Sequence, residues 1–219
     1  VFRRRKRYVF KAVFISIYRQ RVFYLYLSTV CMLKTYLENT GIFSEEEIGR
    51  VLPFFREVQL KRGDFFIREH EKCRKVAFVC SGIFRSFYSS GKGEDITYCF
   101  RFPGEFITAY TAFITGEQSQ ESMQAISDAV LLVISKEELD RLAEGNYAWT
   151  FFLKQTAEQQ YMELEQRVFQ LQRLNATERY RQLMNVHPGY IRNIPLQYLA
   201  SYLGITQRHL SRIRREPGF

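Results

Sequence analysis

The chain has 219 residues, 46% of them apolar, a net charge of +9 and four cysteines (Cys31, Cys73, Cys80, Cys99) with no C-x-x-C pair. This leaves room for two compact domains with a sizeable core and argues against a disulfide scaffold, so the cysteines read as reduced, buried thiols. The charge is uneven: residues 1–31 hold eight bases and no acid, residues 32–172 hold 16 bases and 21 acids, and residues 173–219 hold eight arginines against Glu178 and Glu216. An acidic body with a basic tail is expected when the tail meets a polyanion.

Residues 1–31 are basic and aromatic. Their apolar runs, 8–18 and 22–33, fall short of the roughly 20 residues that a bilayer span needs. The segment reads as a membrane-surface stretch, a nucleic-acid-binding arm or translated upstream sequence before a start at Met32, with the last favoured. Ser44 and Glu47 then form a capping-box pattern for a helix running toward Leu52. Seven short β-branched and aromatic runs follow, at 58–60, 64–68, 75–80, 83–89, 95–101, 122–126 and 129–134. Glycine turns separate them, which predicts a β-barrel or roll.

Helical periodicity returns at Ser135, which caps a helix with Glu137 and Glu138 in its first turn. Residues 148–174 contain no Gly or Pro and predict a rod of roughly 40 Å. Along it Ala157, Tyr161, Leu164, Val168 and Leu171 recur at spacings of four and three, the seam of a dimerisation helix. Glu158, Gln159, Glu163, Gln166, Arg167 and Gln170 occupy its polar side. Asn175-Ala176-Thr177-Glu178 interrupts the rod, a further helix runs through Met184, and His187-Pro188-Gly189 reads as a loop.

The most specific signal is Leu199-Ala200-Ser201-Tyr202-Leu203-Gly204-Ile205-Thr206, followed by Leu210-Ser211-Arg212. Leu199 and Leu203 share a face, and Ala200 allows a close helix crossing. Gly204 suits a left-handed turn, and Thr206 caps the next helix. Leu210 and Ile213 face inward. That leaves Thr206, Gln207, Arg208, Ser211, Arg212 and Arg215 outward, side chains able to reach base edges in a major groove. Arg214 or Arg215 is expected on phosphate. No nucleophile–base pair, phosphate loop or metal-ligand spacing among His70, His187 and His209 stands out. Neither an enzyme nor a metal site is expected.

From about Leu33 to Arg215 the sequence resembles the cyclic-AMP receptor protein/FNR (Crp/Fnr) family of bacterial transcription regulators. The residues carrying the resemblance are Gly63-Asp64, Ser81-Gly82-Ile83-Phe84-Arg85, Phe102-Pro103-Gly104-Glu105-Phe106, Tyr198 to Thr206, and Leu210 to Arg215. It implies an α+β chain: a jelly-roll-like β-roll of the cyclic-nucleotide-binding type (32–147), a long dimerisation helix (148–174) and a winged-helix-type helix-turn-helix (175–219). It also implies double-stranded DNA, a second copy of the chain and RNA polymerase as partners, with a cytoplasmic location and no membrane.

The family's ligand pocket maps onto Gly104, Glu105, Ser119 and Gln120. Here the chain departs from the pattern, because residues 115–123 lack arginine and include Glu117 and Glu121. Cyclic AMP is therefore not expected as effector, and any small-molecule effector is of unknown identity. No cofactor is expected. Only Cys31 lies near the family's cluster-binding cysteines, and His70 is the one histidine available to a haem. The implied wing has only Glu216 to Phe219 after Arg215, so it is either lacking or cut short. Two readings compete: a cyclic-nucleotide or other small-ligand sensing module that acts through protein contacts, and a membrane-associated sensor tethered by residues 1–31.

Overall fold

The computed structural model describes residues 29–186 and 188–215. The expectations for residues 1–28, His187 and the wing lie outside the described residues. The chain divides into two compact units, Val1–Pro53 and Phe54–Phe219. In the first, helix α1 is described from 29 to 39, so it runs through the expected boundary at residue 31, and α2 spans Glu45–Val51. Leu33 and Leu37, one turn apart, are buried in α1, as are Ile48 and Val51 in α2. The Ser44/Glu47 capping box forms in full. Each partner satisfies a backbone N–H that the first helical turn leaves open.

The second unit opens on strands β1 (Arg56–Leu60), β2 (Phe65–Ile67), β3 (Lys75–Ser81), β4 (Phe84–Ser89), β5 (Asp95–Arg101) and β6 (Phe106–Ile107). Helix α3 (Tyr110–Thr115), β7 (Ser122–Ala125) and β8 (Ala129–Ser135) complete the roll. Two antiparallel sheets result, in the orders β1-β8-β3-β6 and β2-β7-β4-β5. All seven expected strands appear within two residues of their predicted ends. β6 and α3 were not foreseen. β6 has only two residues, too few to show a period, and α3 starts at Ala109 without a side-chain cap. Its one signal is Gly116, which ends it in the left-handed conformation.

The roll is filled by Phe78, Phe84, Leu131, Leu132 and Ile134, each nearly inaccessible to solvent. β4 is buried along Phe84, Arg85, Ser86 and Phe87, so both of its faces are covered. Gly82 sits at the β3–β4 turn with φ +91°, and a Cβ there would lie 2.5 Å from the Ala129 Cβ and 2.7 Å from its Cα. Only glycine lets the hairpin meet the start of β8 so closely.

Four helices lead out of the roll: α4 (Lys136–Ala143), α5 (Tyr147–Arg173), α6 (Ala176–Val186) and α7 (Pro188–Ile191). The expected interruption at Asn175 is a cap. The Glu178 N–H donates to Asn175 Oδ1 at 3.0 Å, and the Asn175 N–H donates to the Glu178 carboxylate at 2.8 Å. The loop expected at Pro188-Gly189 is instead the start of α7. Proline suits a first helical position, where its missing N–H costs nothing. The last pair, α8 (Leu196–Leu203) and α9 (Gln207–Ile213), closes the described chain.

The cysteines divide by environment: Cys73 and Cys80 are buried, Cys99 is half-buried and Cys31 is exposed. Burial pushes the Cys80 thiol up to about 12 and the Cys99 thiol up to about 11. Brief iodoacetamide treatment at pH 7.5 is expected to label Cys31 and leave Cys80 and Cys99 intact by peptide mass spectrometry, because the thiolate is the nucleophile. Equal labelling of Cys80 would contradict the burial seen here.

Candidate nucleic-acid interface and ligand cavity

The α8–α9 turn is built as its residues require. Gly204 takes φ 69°, and its N–H bonds back to the carbonyls of Ala200 and Ser201. The Ile205 N–H also reaches the Ala200 carbonyl, at 3.0 Å. Thr206 Oγ1 accepts the His209 N–H at 3.2 Å and starts α9. Leu210 and Ile213 are fully buried beside Leu199, Ala200 and Leu203. The opposite side of α9 leaves Thr206, Gln207, Arg208, Arg212 and Arg215 exposed and Ser211 half-buried. The six predicted residues therefore share one short helix and its edges. Arg214 is different: its Nε donates to the Tyr180 hydroxyl at 3.0 Å, which turns it back onto α6.

α8 does not stand free of the roll. Ser201 Oγ accepts the Thr97 N–H at 2.9 Å and donates to the Asp95 carbonyl at 3.1 Å, so it covers part of the open edge of β5. Arg85 of β4 is almost wholly buried, with its guanidinium 3.7 Å from the Phe87 ring centre and 3.9 Å from that of Tyr198. It donates to Gln124 at 2.9 Å and pairs with Asp95 at 2.8 Å. The rings of Phe100 and Tyr202 lie 5.2 Å apart in the same seam. Sequence reasoning missed this junction. Its one sign was a lone arginine between Phe84 and Phe87 in an apolar strand.

Part of the polar side of α5, at Glu163 and Arg167, meets this body, while Glu158, Gln159 and Gln166 stay exposed. Arg101 pairs with Glu163 at 3.2 Å, and Arg167 stacks 3.9 Å over the Tyr202 ring while donating to the Tyr202 carbonyl. The apolar seam is turned away. Tyr161 is 67% exposed and Leu164 58%, Val168 and Leu171 are also exposed, and Ala157 is half-buried. Met162 and Phe169 widen the exposed strip. Farther back, Trp149 and Phe152 are buried where α5 leaves the roll.

The roll also holds a cavity of about 610 Å³, lined in part by Tyr88, Tyr98, Ala109, Ala112, Ser119 and Gln120. Of the four predicted pocket residues, Ser119 and Gln120 reach it, while Gly104 and Glu105 do not. That pair instead closes the β5–β6 turn onto β3. The Gly104 N–H donates to the Val79 carbonyl, and the Glu105 carbonyl accepts the Val79 N–H, both at 2.9 Å. The Glu105 carboxylate caps the Phe102 N–H at 3.1 Å, and burial raises its proton affinity. Ala109 and Ala112, around α3, line the cavity as well. The Ser119 hydroxyl is engaged in its own turn, donating to the Glu121 carbonyl at 2.7 Å.

Residues 57–146 match the family model of the cyclic nucleotide-binding domain. No curated protein sequence matches the chain. Among solved structures, FixK2 from Bradyrhizobium japonicum is similar at 19% identity and a TM-score of 0.64, over 73% of this chain and 82% of its own. A protein described as a transcriptional regulator of the Crp/Fnr family from Eubacterium rectale gives 15% identity and a TM-score of 0.65, over 83% and 86%. The c-di-GMP responsive global regulator CLP of Xanthomonas campestris gives 16% and 0.58, over 78% and 89%. Among the described residues, no helix is long and apolar enough to cross a membrane. A roll that matches the cyclic nucleotide-binding domain model, a long helix and a helix–turn–helix thus follow one another here, and the chain has the fold of the Crp/Fnr family of transcription regulators.

Proposed function

We propose that the protein is a sequence-specific DNA-binding transcription regulator that works as a homodimer on a palindromic site and is not controlled by cyclic AMP. The observation that carries this is the outer face of α9 and the turn after it, where Gln207, Arg208, Arg212 and Arg215 are exposed and Leu210 and Ile213 are fully buried on the other side. Arginine forks suit guanine and a glutamine amide suits adenine, each in two-bonded geometry. Arg215, beyond the last turn, suits phosphate, since Arg214 is engaged with Tyr180. Pairing along the exposed strip of α5 would present two such helices about one DNA turn, roughly 34 Å, apart. Cyclic AMP is disfavoured because Glu69, Glu117 and Glu121 line the cavity and, among the described residues, no lysine or arginine does.

Selection of bound sites from a random duplex pool tests the reading, with an inverted repeat as the expected product. On the selected site, Arg212→Ala is expected to weaken binding by about 1–3 kcal/mol and to relax preference at one base pair. An equal loss on all sequences would assign Arg212 to phosphate. Failure of the intact protein to enrich any sequence would reject the regulator reading.

A further inference from the structure

The chemistry that makes the roll cavity hostile to a phosphodiester also says what it can hold. At about 610 Å³ it lies within the range of small-molecule sites. Tyr88 and Tyr98, from neighbouring strands β4 and β5, each keep more than a third of their surface exposed, 43% and 36%. Glu69, Glu117 and Glu121 line the same cavity.

The Tyr98 hydroxyl donates to Glu121. Arg101, whose charge reaches Glu121, pairs instead with Glu105 at 3.9 Å and Glu163 at 3.2 Å. Burial raises the proton affinity of Glu121, and its bonded partners, the Tyr98 phenol and the Ser86 hydroxyl, are both neutral. A cation brought into contact would relieve that state. A bare metal ion is a poor candidate, because no three His, Cys, Asp or Glu groups converge on a point among the described residues. An ammonium group fits better. It bonds to carboxylates without a fixed coordination number and is attracted to aromatic faces.

We propose that the cavity binds a small organic cation carrying ammonium groups, neutralised by Glu117 and Glu121 and seated against the rings of Tyr88 and Tyr98. This deepens the regulator reading by naming the chemical class of its effector, yet the binding step needs no DNA.

Calorimetry on the full chain tests it, with spermidine as the probe and cyclic AMP and magnesium as controls. Saturable one-site binding of spermidine is expected, with no heat from either control at the same concentration. Glu117→Gln and Glu121→Gln should each weaken spermidine at least ten-fold, and Tyr88→Ala at least three-fold, with native circular dichroism retained. If Glu121→Gln fails to fold, Glu117→Gln on its exposed side chain carries the test. The proposal is overturned if wild-type protein shows no spermidine heat or binds cyclic AMP more tightly. It is also overturned if magnesium competes equally, or if the folded glutamine variants bind as wild type does. Spermidine binding by a protein that selects no DNA would keep the cavity assignment and remove the regulator reading. DNA selection without spermidine binding would do the reverse.

Discussion

The double substitution Leu164→Glu and Val168→Glu is expected to turn the protein into a monomer and to cut affinity for a palindromic site by about 10²–10⁴-fold, the factor that linkage of two binding modules confers. Both side chains are exposed on α5 in the single chain, at 58% and 43%. The exchange therefore empties no core and should leave the stability of the isolated fold within about 0.5 kcal/mol. In a pair, the same positions would bury four carboxylates along one seam, an arrangement that desolvation and like charge both oppose. Light scattering coupled to gel filtration reads the mass, and titration of fluorescent duplexes reads the affinity. Affinity for a half-site should stay within a factor of a few. A dimer that persists with native affinity would move the pairing surface away from α5. A monomer that still binds the full palindrome at wild-type strength would sever pairing from recognition.

Why this seam could be read from the sequence, and the α8 junction could not, is a matter of range. The seam repeats at spacings of three and four within one helix, so local periodicity reveals it. So do the caps: Ser44 with Glu47 and Ser135 with Glu138 lie three residues apart and form the reciprocal bonds seen at α2 and α4. The strands were legible because glycine turns bracket them. Gly104-Glu105 misled for the same local reason. A Gly-Glu pair was expected in the pocket, but this one serves the turn before β6, a strand of two residues. The polar side of α5 was visible as charge, but not as a set of partners for Arg101 and Tyr202. The Ser201–Thr97 bond joins residues 104 apart, and nothing in either neighbourhood announces the other.

That junction yields the second large effect. Arg85→Ala is expected to lower unfolding stability by about 2–4 kcal/mol in urea denaturation. The ion pair with Asp95 is the smaller part of this. The Asp95 side chain is 45% exposed, and a half-solvated partner is worth little. The larger part is the guanidinium plate filling the gap between Phe87 and Tyr198, together with its bonds to Gln124, all lost on truncation. Arg85→Lys should recover less than half, because an ammonium cannot stack on both rings or present the same fork. The junction is also not fully satisfied. Arg85 Nη1 and Thr97 Oγ1 are buried with no hydrogen-bond partner in the described structure. The seating of α8 on β5 therefore carries a polar cost that its aromatic contacts must offset. Ser201→Ala separates seating from global stability. It removes one short side chain's two bonds to the β5 edge, at about 1 kcal/mol, and should speed hydrogen exchange at the Thr97 amide about five-fold while amides in β3 and β8 keep their protection. Since α8 carries α9, a Thr97 amide that exchanges no faster in Ser201→Ala would mean that the roll holds the helix–turn–helix by its aromatic contacts alone.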